Sequence, residues 1–161
     1  MNQQQVQRAL ADYGKSILHL AYSYLRNRAD AEDVLQDTMV QLLRKAPEFE
    51  SDEHEKAWLL RVAANLCKNR LRTPWRRYEQ LPEDYPADGK SEESLALLQA
   101  VGSLPVKYRE VVHLFYYEDA STAQIAAYLG AGESAVRKRL SRARAMLRKQ
   151  FQERGRFDEA L

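Results

Sequence analysis

The stretch from Ala120 to Arg148, ASTAQIAAYLGAGESAVRKRLSRARAMLR, leaves this chain few folds to choose from. Ser121 is placed to cap a helix, and Gln124 stands three residues later, where a capping box takes Glu or Gln. Ile125, Ala126 and Leu129 give that helix an apolar face. Gly130 and Gly132 interrupt it, because glycine alone enters positive φ without strain. A second helix follows with Val136, Leu140, Ala143 and Leu147 on one side. Two short helices joined by a Gly-bearing turn of about three to four residues make a helix-turn-helix.

The angular phase of the second helix decides which side faces out. At roughly 100° per residue, its four apolar residues fall within about 60° of one another. Ser134, Lys138, Ser141, Arg142 and Lys149 lie opposite them, with Arg137 and Arg148 flanking. Arg139 and Arg144 fall nearer the apolar seam, which suits them to phosphates or to internal carboxylates. Between Glu133 and Lys149 there are seven basic residues and one acid. A merely solvated helix interleaves Glu with Lys and Arg to gain i,i+4 pairs, and this one does not. The pattern points to the major groove of DNA.

A length of 161 residues allows one ordinary domain or two small ones. Charged residues are plentiful while glycine and proline are scarce, so an all-α fold with little loop is expected. The net charge is only +2, so the basic helix is a local concentration balanced by acids elsewhere. Two kinds of surface imply two kinds of partner. No apolar run approaches the roughly 20 residues of a membrane helix, and no signal-peptide pattern opens the chain. Cys67 is the lone cysteine, which fits a reduced cytosol and a small buried hydrophobe.

From the start, Val6, Leu10, Tyr13, Ile17, Leu20, Ala21 and Tyr24 recur at helical spacing, and this first helix is expected to end near Asn27. Asp30 is expected to open a second, with acids in its first turn and Val34, Leu35, Met39 and Leu42 buried. Its outer side keeps Asp30, Glu32, Asp33, Gln36, Asp37 and Gln41. Phe49 to Glu55 reads as a short acidic loop, and a third helix as running from about Lys56 to Arg72. Trp58, Leu59, Val62, Ala63 and Leu66 form its core side. Arg61, Asn65, Lys68 and Arg72 make a polar stripe continued by Asn69 and Arg70. Basic groups alternating with amides suit phosphate contacts and base-edge hydrogen bonds. Trp75 and Tyr78, beside Arg76 and Arg77, offer flat faces for unpaired bases.

Prolines and Gly89 break the pattern from Thr73 to Lys90, which reads as a linker. Helices resume near Glu92, stop at Gly102-Ser103 and restart after Pro105, with Tyr108, Val111, Val112 and Phe115 buried. The boundaries expected are a first domain over 1–73, a linker over 74–91, a second domain over 92–151 and a fraying polar tail over 152–161. An enzyme is not indicated. His19, His54 and His113 are scattered, no HExxH or Cys/His ligand set occurs, and nothing matches GxxxxGK[ST]. No metal or cofactor is expected. An autonomous dimeric helix-turn-helix regulator would call for a dimerisation helix or receiver domain, and the first half has the pattern of neither.

DAEDVLQDTMVQLL, AWLLRVAANLCKNRLR, LPVKYREVVHLFYYEDAS and the helix-turn-helix ending in RLSRAR stand in that order. Together, from about Tyr13 to Leu147, they resemble an extracytoplasmic-function (ECF) sigma factor of the sigma-70 family. The resemblance implies a first domain like sigma region two, which binds core RNA polymerase through the acidic helix and reads and melts the −10 element with the third. The residues matching those roles are Asp30, Asp33, Gln36, Asp37 and Gln41 for polymerase, and Arg61, Asn65, Lys68, Asn69 and Arg72 for the −10 element. It implies a second domain like region four, which sets Ser134, Arg137, Lys138, Ser141 and Arg142 against the −35 major groove. An anti-sigma factor is a further implied partner, and the cytoplasm the implied location. The chain departs from the family in having Ser134-Ala135 for Gly-Thr, Lys138 for a small serine, Asn69 for an aspartate and a more acidic loop after Phe49.

Overall fold

The structure, a computed structural model, describes residues 2–72 and 99–154. The chain divides into two compact units, and the regular structure among the described residues is helical, with no strand. The expected linker and residues 155–161 lie outside the described residues, as do Trp75, Arg76, Arg77 and Tyr78.

The first unit contains α1 (Gln3–Leu25), α2 (Arg28–Lys45) and α3 (Asp52–Leu71), each packed against the other two. Local capping sets where each begins. The Asn2 side chain accepts from the Gln5 N–H while the Gln5 side chain accepts from the Asn2 N–H, which closes a capping box. At the far end Arg26 takes a left-handed φ of 54° and donates its N–H to the Tyr22 carbonyl at 2.8 Å. Asn27 then caps α2 by accepting from the Asp30 N–H at 2.9 Å. The second helix therefore starts before Asp30, and Asp30 occupies its first turn.

The loop expected from Phe49 to Glu55 is shorter than that. Ser51 accepts from the His54 N–H at 3.0 Å and opens α3, so Asp52, Glu53 and Glu55 stand in the first turn. Acids there oppose the positive end of the helix dipole, which is why the segment coils although its composition suggested a loop. Ile17, Leu20, Tyr24, Leu25, Val34, Leu42, Leu59, Leu60, Ala63 and Cys67 are all buried. The expected α1 stripe fails at Leu10, which is 44 % exposed. Ala9 and Gly14 take the inward places there, and Leu10 lies along Gly14.

In the second unit a helix ends at residues 99–102, followed by α4 (Val106–Val112), a π-helical turn (His113–Tyr117), α5 (Thr122–Leu129) and α6 (Glu133–Arg154). The buried guanidinium of Arg109 donates from Nη1 to the carbonyls of Gly102, at 2.9 Å, and Leu104, at 3.3 Å. A cation is favourable there, because Gly102 is the last residue of the preceding helix. Ala100, Leu104, Tyr108 and Val112 pack against Ala143, Leu147 and Phe151, so α4 supports the back of α6.

Phe115 was expected in this core but is only half-buried, and Leu114 is fully buried in its place. The cause is the π turn. Its Glu118 N–H to His113 carbonyl bond, at 3.3 Å, takes one residue more than an α turn and rotates the following side chains. Asp119, a residue type that tolerates the left-handed region, ends the turn at φ 57°.

Candidate nucleic-acid interface and acidic face

The helix-turn-helix is assembled by its own polar residues. The Ser121 N–H donates to Gln124 Oε1 at 2.9 Å and the Gln124 N–H to Ser121 Oγ at 3.1 Å, the reciprocal box its sequence implied. Gly130 ends α5 at φ 66°, and the Ala131 N–H bonds to the Ala126 carbonyl at 3.0 Å. That is a Schellman closure, and of the two glycines it uses only the first.

On α6 the burial follows the expected phase. Val136, Leu140, Ala143 and Leu147 are at most 2 % exposed. Ser134, Arg137, Lys138, Ser141 and Arg142 are exposed, with Arg139 and Arg144 half-buried beside the seam. Arg144 contacts aromatic groups there. Its Nε donates to the Tyr116 hydroxyl at 2.8 Å, and its guanidinium lies 5.3 Å from the centre of the Phe115 ring. Rings of the π turn thus hold the guanidinium beside the seam. Glu133, which the sequence reading passed over, pairs with Arg137 Nη1 at 3.0 Å and accepts from Thr122 Oγ1 at 2.6 Å. Its i,i+4 spacing to Arg137 was the available signal.

On α3, Arg61, Asn65, Asn69 and Arg72 are exposed and Lys68 is half-buried, so the stripe is one surface. Arg72 Nη1 donates to Asn69 Oδ1 at 3.0 Å. Arg70 leaves this stripe. It turns to α2 and faces Asp37 at 3.4 Å, Asp33 at 3.8 Å and Asp30 at 3.9 Å. A single guanidinium therefore gathers three of the five residues expected on the polymerase side. Asp33, Gln36 and Asp37 remain exposed beside Val40 and Leu43, while Asp30 and Gln41 are half-buried. The result is an acidic face with an apolar border.

At the start of α3 the acids do not all face solvent. Glu55 is buried and accepts from Arg8 Nη2 at 3.1 and 3.2 Å. Burial, and then the charges of Glu55 and Asp52, raise the Tyr13 phenol above its ordinary pKa. Phe49 meets His54 and Trp58 edge-on, with ring centres 5.3 and 5.8 Å away, so Trp58 packs inside its own unit.

Two helical units, one closing in a helix-turn-helix with a basic outer face, define the class. Residues 10–77 match the family model for sigma-70 region 2, and residues 94–147 the model for sigma-70 region 4. The chain is 34 % identical over 137 residues to the ECF RNA polymerase sigma factor SigM of Mycobacterium tuberculosis, covering 83 % of this chain and 70 % of SigM. It is 35 % identical over 144 residues to the ECF RNA polymerase sigma factor SigE of Mycolicibacterium smegmatis, covering 82 % of this chain but 56 % of SigE. The solved structure of CnrH in complex with the cytosolic domain of CnrY superposes with a TM-score of 0.73 at 27 % identity, over 94 % of this chain and 90 % of CnrH. The chain belongs to the ECF sigma factor family of the sigma-70 type.

Proposed function

We propose that this chain is an RNA polymerase sigma factor that binds core polymerase through the outer face of α2, reads and opens the −10 element with α3, and reads the −35 element with α6. The observation that carries the reading is the separation of charge by surface in a sigma-70 chain. Asp33, Gln36 and Asp37 lie exposed on one helix, and Arg137, Lys138 and Arg142 lie exposed on another. The acidic face suits a basic protein partner, and the basic faces suit phosphate and base edges. Its role is non-enzymatic: it selects and opens promoters while core polymerase makes RNA, without a cofactor. Unstacking a base costs a few kcal/mol, and capture of flipped bases by protein groups offsets that cost.

Its place of work is the cytoplasm, with core polymerase and DNA. No helix of the described residues is long and apolar enough to cross a membrane. An anti-sigma factor is a further proposed partner, a reading supported by the solved complex of CnrH with the cytosolic domain of CnrY. Transcription of fragmented genomic DNA by core polymerase, with and without the chain, tests the assignment. Discrete start sites preceded by a shared pair of elements should appear only with the chain. Binding to DNA without any association with core polymerase would favour an autonomous regulator instead.

A further inference from the structure

We propose that Glu133 is a positioning residue that sets base specificity at the −35 element by fixing the guanidinium of Arg137; this rests on the reading of α6 as the recognition helix. One carboxylate oxygen, Glu133 Oε2, accepts from Thr122 Oγ1 at 2.6 Å and pairs with Arg137 Nη1 at 3.0 Å. Thr122 opens α5, whereas Glu133 and Arg137 lie one turn apart at the start of α6. The same oxygen thus bridges the two helices of the motif and holds the arginine.

An ordinary i,i+4 surface pair holds neither partner in one place, because both side chains keep rotating. Here the short bond from a second helix removes much of the carboxylate's freedom, and Arg137 is aimed from a fixed point. A bidentate contact to guanine takes two of the five N–H donors of a guanidinium, so an arginine already tied through Nη1 retains donors for a base. The Arg137 side chain is 59 % exposed, so it is open to such an edge.

Glu133 is also the one acid among seven basic residues from Glu133 to Lys149. A negative charge at the start of a groove-facing helix weakens attraction to phosphate on every sequence alike. Specificity is the ratio of specific to non-specific binding, so a lower background sharpens it.

The test selects −35 sequences with the full chain bound to core polymerase, from templates randomised at −35 and constant at −10. Arg137→Ala should flatten the preference at the position Arg137 reads. Glu133→Ala should flatten that same position by about fivefold or more, part of what loss of a bidentate contact removes, and in a chain already carrying Arg137→Ala it should take nothing further. Glu133→Gln keeps an acceptor for Thr122 but drops the charge, and it should bind random duplex more tightly. Thr122→Val, which keeps the ion pair, should flatten the position in part. All variants should melt near the wild-type temperature. An unaltered preference in Glu133→Ala, or a uniform loss of binding on all sequences with a lowered melting point, would overturn the proposal. Failure of the wild type to enrich any −35 sequence would overturn the reading of α6 itself, a distinguishable result.

Discussion

At the scale of single residues, Arg8 and Glu55 carry a definite expectation. Glu55 is buried and its carboxylate pairs with the half-exposed Arg8. Arg8→Ala should destabilise the chain by about 1–2 kcal/mol, below the 3–5 kcal/mol typical of a fully buried pair because solvent screens one partner. Urea unfolding followed by tryptophan fluorescence measures this, and an unchanged midpoint would show that water replaces Arg8 without cost. Tyr13 adds a pH dependence. With its pKa raised in the folded chain, the phenol keeps its proton after the unfolded phenol has ionised. Its contribution is therefore full below pH about 10 and is lost as pH rises further. Melting temperatures across that range should fall less steeply in Tyr13→Phe than in the wild type. The Arg8–Glu55 tie could not be read from sequence, because its partners are 47 residues apart and share no pattern. The exposed face of α6 could be read, because four apolar residues at helical spacing leave one phase. In consequence Arg142→Ala should cost about 1–3 kcal/mol on the preferred −35 sequence and relax one position. Arg139→Ala, nearer the seam, should weaken all duplexes alike. A specificity role for Arg139 with a silent Arg142, seen in binding to a −35 panel, would reverse those assignments.

At the scale of elements, periodicity placed the helices, while caps placed their ends. Asn27 and Ser51 are ordinary polar residues until the chain folds, and each then holds the N–H three residues on. Acids following them read as loop or as surface charge, which is why α2 and α3 both begin earlier than composition indicated. The π turn lay beyond periodicity altogether, since one extra residue in a turn changes the phase without a residue type that announces it. On α2 the expected outer face is present, and Arg70 from α3 adds a group the sequence had assigned to the other side. This changes the consequence of reversing charge. Asp33→Lys with Asp37→Lys should weaken association with core polymerase by more than about 1 kcal/mol if this face meets a basic partner. It should also place two ammonium groups near Arg70, so a small loss of stability, below about 1 kcal/mol for such exposed charges, accompanies it. Arg70→Ala added to the double reversal relieves that repulsion and should return the stability without returning polymerase binding. Titration against core polymerase, paired with thermal unfolding, separates the two effects. Full polymerase binding by the double reversal would assign these acids to capping and solubility alone.

At the scale of the whole molecule, the proposed function divides the work of a promoter between the two units, and one experiment tests that division. Arg61, Asn65, Asn69 and Arg72 form an exposed stripe on α3, while Trp58 and Val62 are half-buried and Leu59 and Ala63 fully so. Asn65→Ala with Asn69→Ala removes amides from the exposed side and leaves the packed side intact, so folding and core binding should survive. Asn69 also accepts from Arg72, so the change frees that guanidinium and leaves its charge in place for phosphate. Binding at −35 should survive as well, because the proposed function assigns it to α6 in the other unit. Transcription from duplex promoters should fall, since the amides are the groups suited to bases that leave the stack. A template with a mismatched bubble at −10 supplies the opened strands beforehand and removes the unstacking cost of a few kcal/mol per base. It should recover part of the activity. The deficit that remains on the bubble then belongs to base readout, and the part recovered belongs to opening. Start-site mapping and footprints on both templates measure the two parts. Wild-type transcription by the double variant on duplex DNA would take this stripe out of the promoter interface, while footprints lost at −35 as well would show that the two units do not act separately.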